Sequence, residues 1–251
     1  MPSVVDLELR ERIALLRLNR PEVHNAVDER VMEGLEGHLT TIQARHEIAT
    51  IVLSGAGRDT FCSGGDLRYF ASLPTREQGL AMSQRMQAIL DRLYTGDRVV
   101  LAAVNGTALG GGCEILTACH LRIASAEASF SFRQARNGVV TGWGGGVRLF
   151  RLLGRGAALR LLLTSETLSS KEALRMGLVD LVVPPDEVLP TCIEMATRIA
   201  ECSEGAVSGF LRLVRCLEEK GATAARELET ELFGDTWVSP EFKAILARYT
   251  R

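Results

Sequence analysis

Two segments of the 251-residue chain concentrate residue types that can do chemistry. The first is FCSGGDL, residues 61–67, and the second is AAVNGTALGGGCE, residues 102–114. In each, small residues stand where an apolar, strand-like run gives way to a helical pattern. Glycine lets a ligand approach the backbone closely and permits unusual dihedrals. A helix N-terminus adds unpaired N–H groups and the positive end of a dipole. Two such segments facing each other would hold a developing oxyanion between two backbone donors, and losing one donor costs roughly 100- to 1,000-fold in rate. Glycines also mark tight turns and close packing, and that plainer reading suffices for Gly55 and Gly57. Glu114 directly follows a glycine run and Cys113. It reads either as compensation of a helix dipole or, inside a long apolar stretch, as a proton-transfer group. A third glycine cluster, Gly142, Gly144, Gly145 and Gly146, precedes another helical pattern. It could receive an anion or serve as a packing turn.

The elements that must position these residues are legible as periodicity. Residues 13–19, 49–57, 99–106, 121–125, 128–132 and 178–183 read as strands. Residues 27–45 carry a helical period with Val31, Leu35, Leu39 and Ile42 on one side. Residues 76–94 form an amphipathic helix, CEILTAC opens another, and VRLFRLLG and AALRLLLTS are helical. This alternation predicts an α/β fold with a largely parallel sheet buried on both faces. Past about Leu189 the pattern is helical. The expected organisation is a core at residues 1–190 bearing the site and a helical region at 191–251. Phe210, Leu211, Leu217, Phe233 and Trp237 make that region apolar enough to bury a face against another subunit.

Composition removes several function classes. Net charge is −2 and the sequence pI is about 6.1, which gives no global attraction to nucleic acid or an anionic membrane. The N-terminal residues carry charges at once with no apolar h-region, and the longest weakly charged stretch, residues 99–113, is too short to span a bilayer. The cytoplasm is the expected compartment. Six cysteines form no C-x-x-C pair and read as reduced thiols. Four scattered histidines and no H-E-x-x-H predict no metal site. Serine-hydrolase, P-loop and dinucleotide fingerprints are missing from the positions where they would act.

Read in order, the motifs resemble the crotonase (enoyl-CoA hydratase/isomerase) superfamily over most of the chain. They are NRPEVHNA at residues 19–26, IVLSGAG, FCSGGDL, AAVNGTALGGGCE, GWGGG and the segment from LLLTSETLSS to GLVD. The resemblance implies a spiral of β-β-α units with a C-terminal helical region that forms trimers, often paired into hexamers. It implies an acyl-CoA substrate and no cofactor beyond its CoA moiety. By position, the backbone N–H groups of Gly65 and Gly111 would be the oxyanion donors and Glu114 a catalytic acid or base. Cys62, Ser63, Gly65, Asp66 and Leu67 would border the CoA moiety. Arg20, Arg68 and Lys243 are candidates for its phosphates. Pocket walls would come from the helix at residues 76–94 with Tyr69 and Phe70.

One departure bears on the reaction. Hydratases of the superfamily use two glutamates, and the second position here is Gln134. An amide donates and accepts hydrogen bonds but exchanges no proton near neutral pH. Decarboxylation of a malonyl-type CoA ester needs only the oxyanion hole and a proton to quench the enolate, and Gln134 could hydrogen-bond the departing carboxylate. The W-G-G pattern is similar to that of ethylmalonyl-CoA decarboxylase. Against this, an ionised Glu114 would repel a substrate carboxylate unless turned away. The expected function is therefore an acyl-CoA lyase, with decarboxylation ahead of hydration by Glu114 alone or isomerisation. A non-catalytic or RNA-binding role is opposed by the acidic pI.

Overall fold

The computed structural model describes residues 3–249. Val5–Arg10 (β1) pairs antiparallel with Ile13–Leu18 (β2). Glu29–Gln43 (α1) follows, N-capped by Asp28, and buries the predicted stripe of Val31, Leu35, Leu39 and Ile42. The next strand, Thr50–Gly55 (β3), lies parallel to β2. Thr60–Cys62 (β4) leads to two helices, Leu67–Ala71 (α2) and Arg76–Tyr94 (α3). Val99–Val104 (β5), Thr107–Leu109 (β6) and Gly111–Leu116 (α4) repeat the pattern. Leu121–Ser125 (β7), Ser129–Ser131 (β8) and Gly145–Thr164 (α5) repeat it again. Leu168–Ser169 (β9), Ser170–Met176 (α6) and Leu181–Val183 (β10) close the series.

The units that begin at β3, β5 and β7 each give one strand to each of two sheets, while β1 and β2 both join the large one. The large sheet runs β1-β2-β3-β5-β7-β10 and the small one β4-β6-β8-β9. The chain therefore advances as a spiral of β-β-α turns. Every residue of β3 and β5 is buried, as expected of parallel strands covered on both faces. Alternation along the strands divides the core. Leu16, Ile51, Leu53, Val100 and Ala102 join α1 and α3 on one side. Ile13, Leu15, Val52, Leu101 and Ala103 face Val188, Cys192 and Ala196 of the helix Val188–Ala200 (α7) on the other. Stacking the turns brings the loops after β4, β6 and β8 together.

Four strands, β1, β4, β6 and β9, escape the sequence reading, and the last predicted strand is shorter than expected. Leu178 and Val179 belong instead to the turn that follows Gly177, the left-handed cap of α6. The helix Glu204–Trp237 (α8) breaks at Gly221, whose φ is 82°, and Pro240–Leu246 (α9) ends the fold. Phe210, Val214, Leu217, Phe233 and Trp237 of α8 are exposed in the single chain. Among the described residues, no helix is long and apolar enough to cross a membrane.

Candidate active site

Gly65 and Gly111 meet where the first two spiral turns stack. Val27 donates to the Gly64 carbonyl and accepts from the Asp66 N–H, both at 2.8 Å. This bridge leaves the Gly65 N–H facing the other way. Gly110 has φ 51° and donates to Ser131 O at 2.8 Å, so the chain turns sharply into α4. Gly111 is the first residue of α4, where an N–H has no intrahelical acceptor. Neither the Gly65 nor the Gly111 N–H donates to another group among the described residues. The two loops touch: a Cβ added at Gly64 would lie 2.8 Å from the Gly111 nitrogen. Both glycines line a cavity of about 570 Å³ with Ser63, Leu67, Glu114 and Gln134.

Glu114 is 2% exposed, yet its carboxylate is fully partnered. Oε1 accepts from Gln134 Nε2 at 2.9 Å and from the Gly142 N–H at 3.4 Å. Oε2 accepts from the N–H groups of Trp143 at 2.8 Å and Gly145 at 3.0 Å. The third glycine cluster thus does receive an anion at a helix N-terminus, and the anion is the protein's own Glu114. The dipole it complements belongs to α5, not to the helix that carries it. A second layer supports this loop. Arg148 donates to Trp143 O at 2.6 Å and to Thr117 Oγ1 at 3.3 Å, and Thr117 in turn donates to Glu114 O at 2.7 Å. The Gln134 amide is oriented by its donation to a carboxylate, and its Oε1 is buried with no partner.

The other predicted residues divide. Ser63, Gly65 and Leu67 line the cavity, but Cys62 and Asp66 do not. Cys62 lies wholly in the core, and burial pushes its thiol up to about 12. Asp66 caps α2 by accepting from the N–H groups of Arg68 and Tyr69. It also pairs with Arg20 at 3.0 Å, and Arg20 further binds Asp28 at 3.1 Å. Arg68 and Lys243 are exposed. Phe70 contributes a wall, as expected, and α3 contributes Met82 and Ser83. Two residues went unassigned in the sequence. Arg133 lines the cavity, and its buried Nε has no partner. Trp143 packs its ring on Gly111, so that a Cβ there would lie 2.2 Å from Cζ3. The signals were present as the cation beside Gln134 and the aromatic inside a glycine run.

A larger cavity of about 740 Å³ lies between α3, α5 and α8, lined by none of the predicted site residues. Among the described residues, no cluster of three or more His, Cys, Asp or Glu side chains could hold a metal.

Comparison with known proteins follows the same geometry. A family model described as enoyl-CoA hydratase/isomerase matches residues 8–250. The short-chain-enoyl-CoA hydratase of Clostridium acetobutylicum is 33% identical over 245 residues, 98% of this chain and 94% of that protein. The ethylmalonyl-CoA decarboxylase of Rattus norvegicus is 36% identical over 228 residues, 90% of this chain and 74% of that protein. The crystal structure of an enoyl-CoA hydratase from Bacillus anthracis superposes with a TM-score of 0.93 at 28% identity, covering 98% of this chain and 96% of that one.

Proposed function

The chain belongs to the enoyl-CoA hydratase/isomerase family, and from that membership we propose that it decarboxylates a malonyl-type CoA ester through a thioester enolate. In this reading the thioester carbonyl oxygen sits between the N–H groups of Gly65 and Gly111. Fixed dipoles at the position of developing charge need no reorganisation as the enolate forms.

The choice of reaction rests on one observation. Both oxygens of Glu114 are occupied by four N–H donors, and its neighbour Gln134 is neutral. Among the described residues, those lining the cavity offer no second acid and no unengaged base to activate water. Decarboxylation requires neither. The bond from the α-carbon to the carboxylate breaks and its electron pair becomes the enolate double bond. The oxygen takes the charge, CO₂ leaves, and the α-carbon then accepts a proton from water. Repulsion by Glu114 is reduced because α5 and the surrounding amides already compensate its charge. Arg133 is the one cation among the described residues lining the cavity, and it is the partner this reading gives the substrate carboxylate.

A second reading is hydration of an enoyl-CoA. The short-chain hydratase relative covers more of the chain than the decarboxylase does. It would require Glu114 to exchange one N–H partner for a water. Mass spectrometry after incubation with crotonyl-CoA, methylmalonyl-CoA and ethylmalonyl-CoA separates the two. The expected result is loss of CO₂ from a malonyl ester with crotonyl-CoA unchanged. Gln134→Glu, which restores the second acid, should gain hydration in the same assay. Water added to crotonyl-CoA by the unmodified protein, without CO₂ loss, would replace the decarboxylase reading with the hydratase one.

A further inference from the structure

We infer that Trp143 is the fixed inner wall of the acyl cavity and restricts the substrate to short acyl groups, of the butyryl class or smaller. The inference rests on the proposed acyl-CoA function and names the substrate class of that site.

Each proposed donor glycine is covered by an aromatic ring. A Cβ on Gly65 would lie 2.0 Å from Phe70 Cζ, and one on Gly111 would lie 2.2 Å from Trp143 Cζ3. The cavity that holds both N–H groups is bounded by both rings and by Leu73, Met82 and Ser83. Trp143 is 4% exposed, so its indole is part of the packed interior and not a flap. It is tied at three points. Its backbone N–H donates to Glu114 Oε2 at 2.8 Å, and its indole N–H donates to Met82 Sδ at 3.4 Å. The preceding Gly142 carbonyl accepts from Ser83 Oγ and, at 2.8 Å, from Gln87 Nε2, both on α3. The indole and Met82 thereby join the glycine loop to α3, and both line the cavity with Ser83. Moving the ring aside breaks its hydrogen bond to Met82 and its packing on Gly111.

Truncating the ring leaves the backbone donor to Glu114 in place. The space released lies between α3 and the loop before α5, and a longer chain can fill it. Each methylene buried there is worth roughly fourfold in affinity.

The test is calorimetric binding of butyryl-, hexanoyl- and octanoyl-CoA, saturated thioesters with no double bond to hydrate and no carboxylate to lose. The unmodified protein should bind butyryl-CoA at least about tenfold more tightly than octanoyl-CoA. Trp143→Ala should bind octanoyl-CoA at least as tightly as butyryl-CoA, with an unchanged far-ultraviolet circular dichroism spectrum reporting an intact fold. Trp143→Leu, a milder change, should fall between. Octanoyl-CoA binding as tightly as butyryl-CoA in the unmodified protein would overturn the inference and leave the proposed function standing. So would discrimination that survives in both variants. Failure of the unmodified protein to bind any of the three thioesters would instead overturn the proposed function, and this inference with it.

Discussion

Glu114 shows how far single residues could be read. Its two sequence readings, dipole compensation and buried catalytic acid, were both open. The structure meets the first in an unforeseen way, since the dipole is that of α5, which begins 31 residues later in the chain at Gly145. No local pattern states which helix end a side chain will reach. Gly65 and Gly111 were named by position from the family resemblance, and both line the cavity. Cys62 and Asp66 stand outside the cavity lining: Cys62 is wholly buried beside Phe61, and Asp66 caps α2. His120 carries a separate prediction. Its Nδ1 accepts from the Val100 N–H at 2.9 Å, and burial holds its pKa down to about 4 from 6.5. Between those values the unfolded chain takes up a proton that the folded chain refuses. Stability is therefore full above pH 6.5 and falls as pH drops toward 4, by roughly 3 kcal/mol at most. Thermal melts of the unmodified protein and His120→Asn from pH 7.5 to 4.5 measure this. The variant should lose less stability on acidification; parallel losses would contradict the assignment.

At the scale of elements, length accounts for part of what could be read: β1 was missed despite its six residues, and β8 was read from three. β2, β3, β5 and the helices α1 and α3 span enough residues for their period to emerge, and α3 falls on residues 76–94 as predicted. β4, β6 and β9 have two or three residues each, too few for any period. Yet these short strands shape the site. β4 and β6 pair in parallel and thereby set the 61–67 loop against the 107–111 loop. The predicted helices around Gly154 are a single helical run with a break, because Gly154 takes φ 74° and ψ 169°. The helical pattern announced both halves, while the hinge depended on one left-handed glycine. The loop before α5 was read as a packing turn or an anion site, and it is both at once. The approach is close: a Cβ on Gly145 would lie 2.4 Å from Glu114 Cγ. Only glycine lets the helix end approach the carboxylate.

For the whole molecule, the fold class was accessible because motif order along most of the chain constrains a spiral more strongly than any one element does. Assembly was not. The exposed apolar side chains of α8, with Phe233 and Trp237 ring centroids 5.4 Å apart and Trp237 and Phe242 5.0 Å apart, form a large uncovered surface of the kind that marks an interaction site. We propose that further copies of the chain cover it, giving a trimer or a pair of trimers. Light scattering should return three or six times the 27.3 kDa chain mass, and a monomer would contradict the assembly. The central claim concerns the two amide donors and a thioester carbonyl. It is tested most directly by comparing the affinity of butyryl-CoA with that of S-butyl-CoA, a thioether with the same chain and no carbonyl. The account predicts roughly tenfold weaker binding of the thioether, the worth of one to two hydrogen bonds. Equal affinities would mean that no carbonyl is held between Gly65 and Gly111.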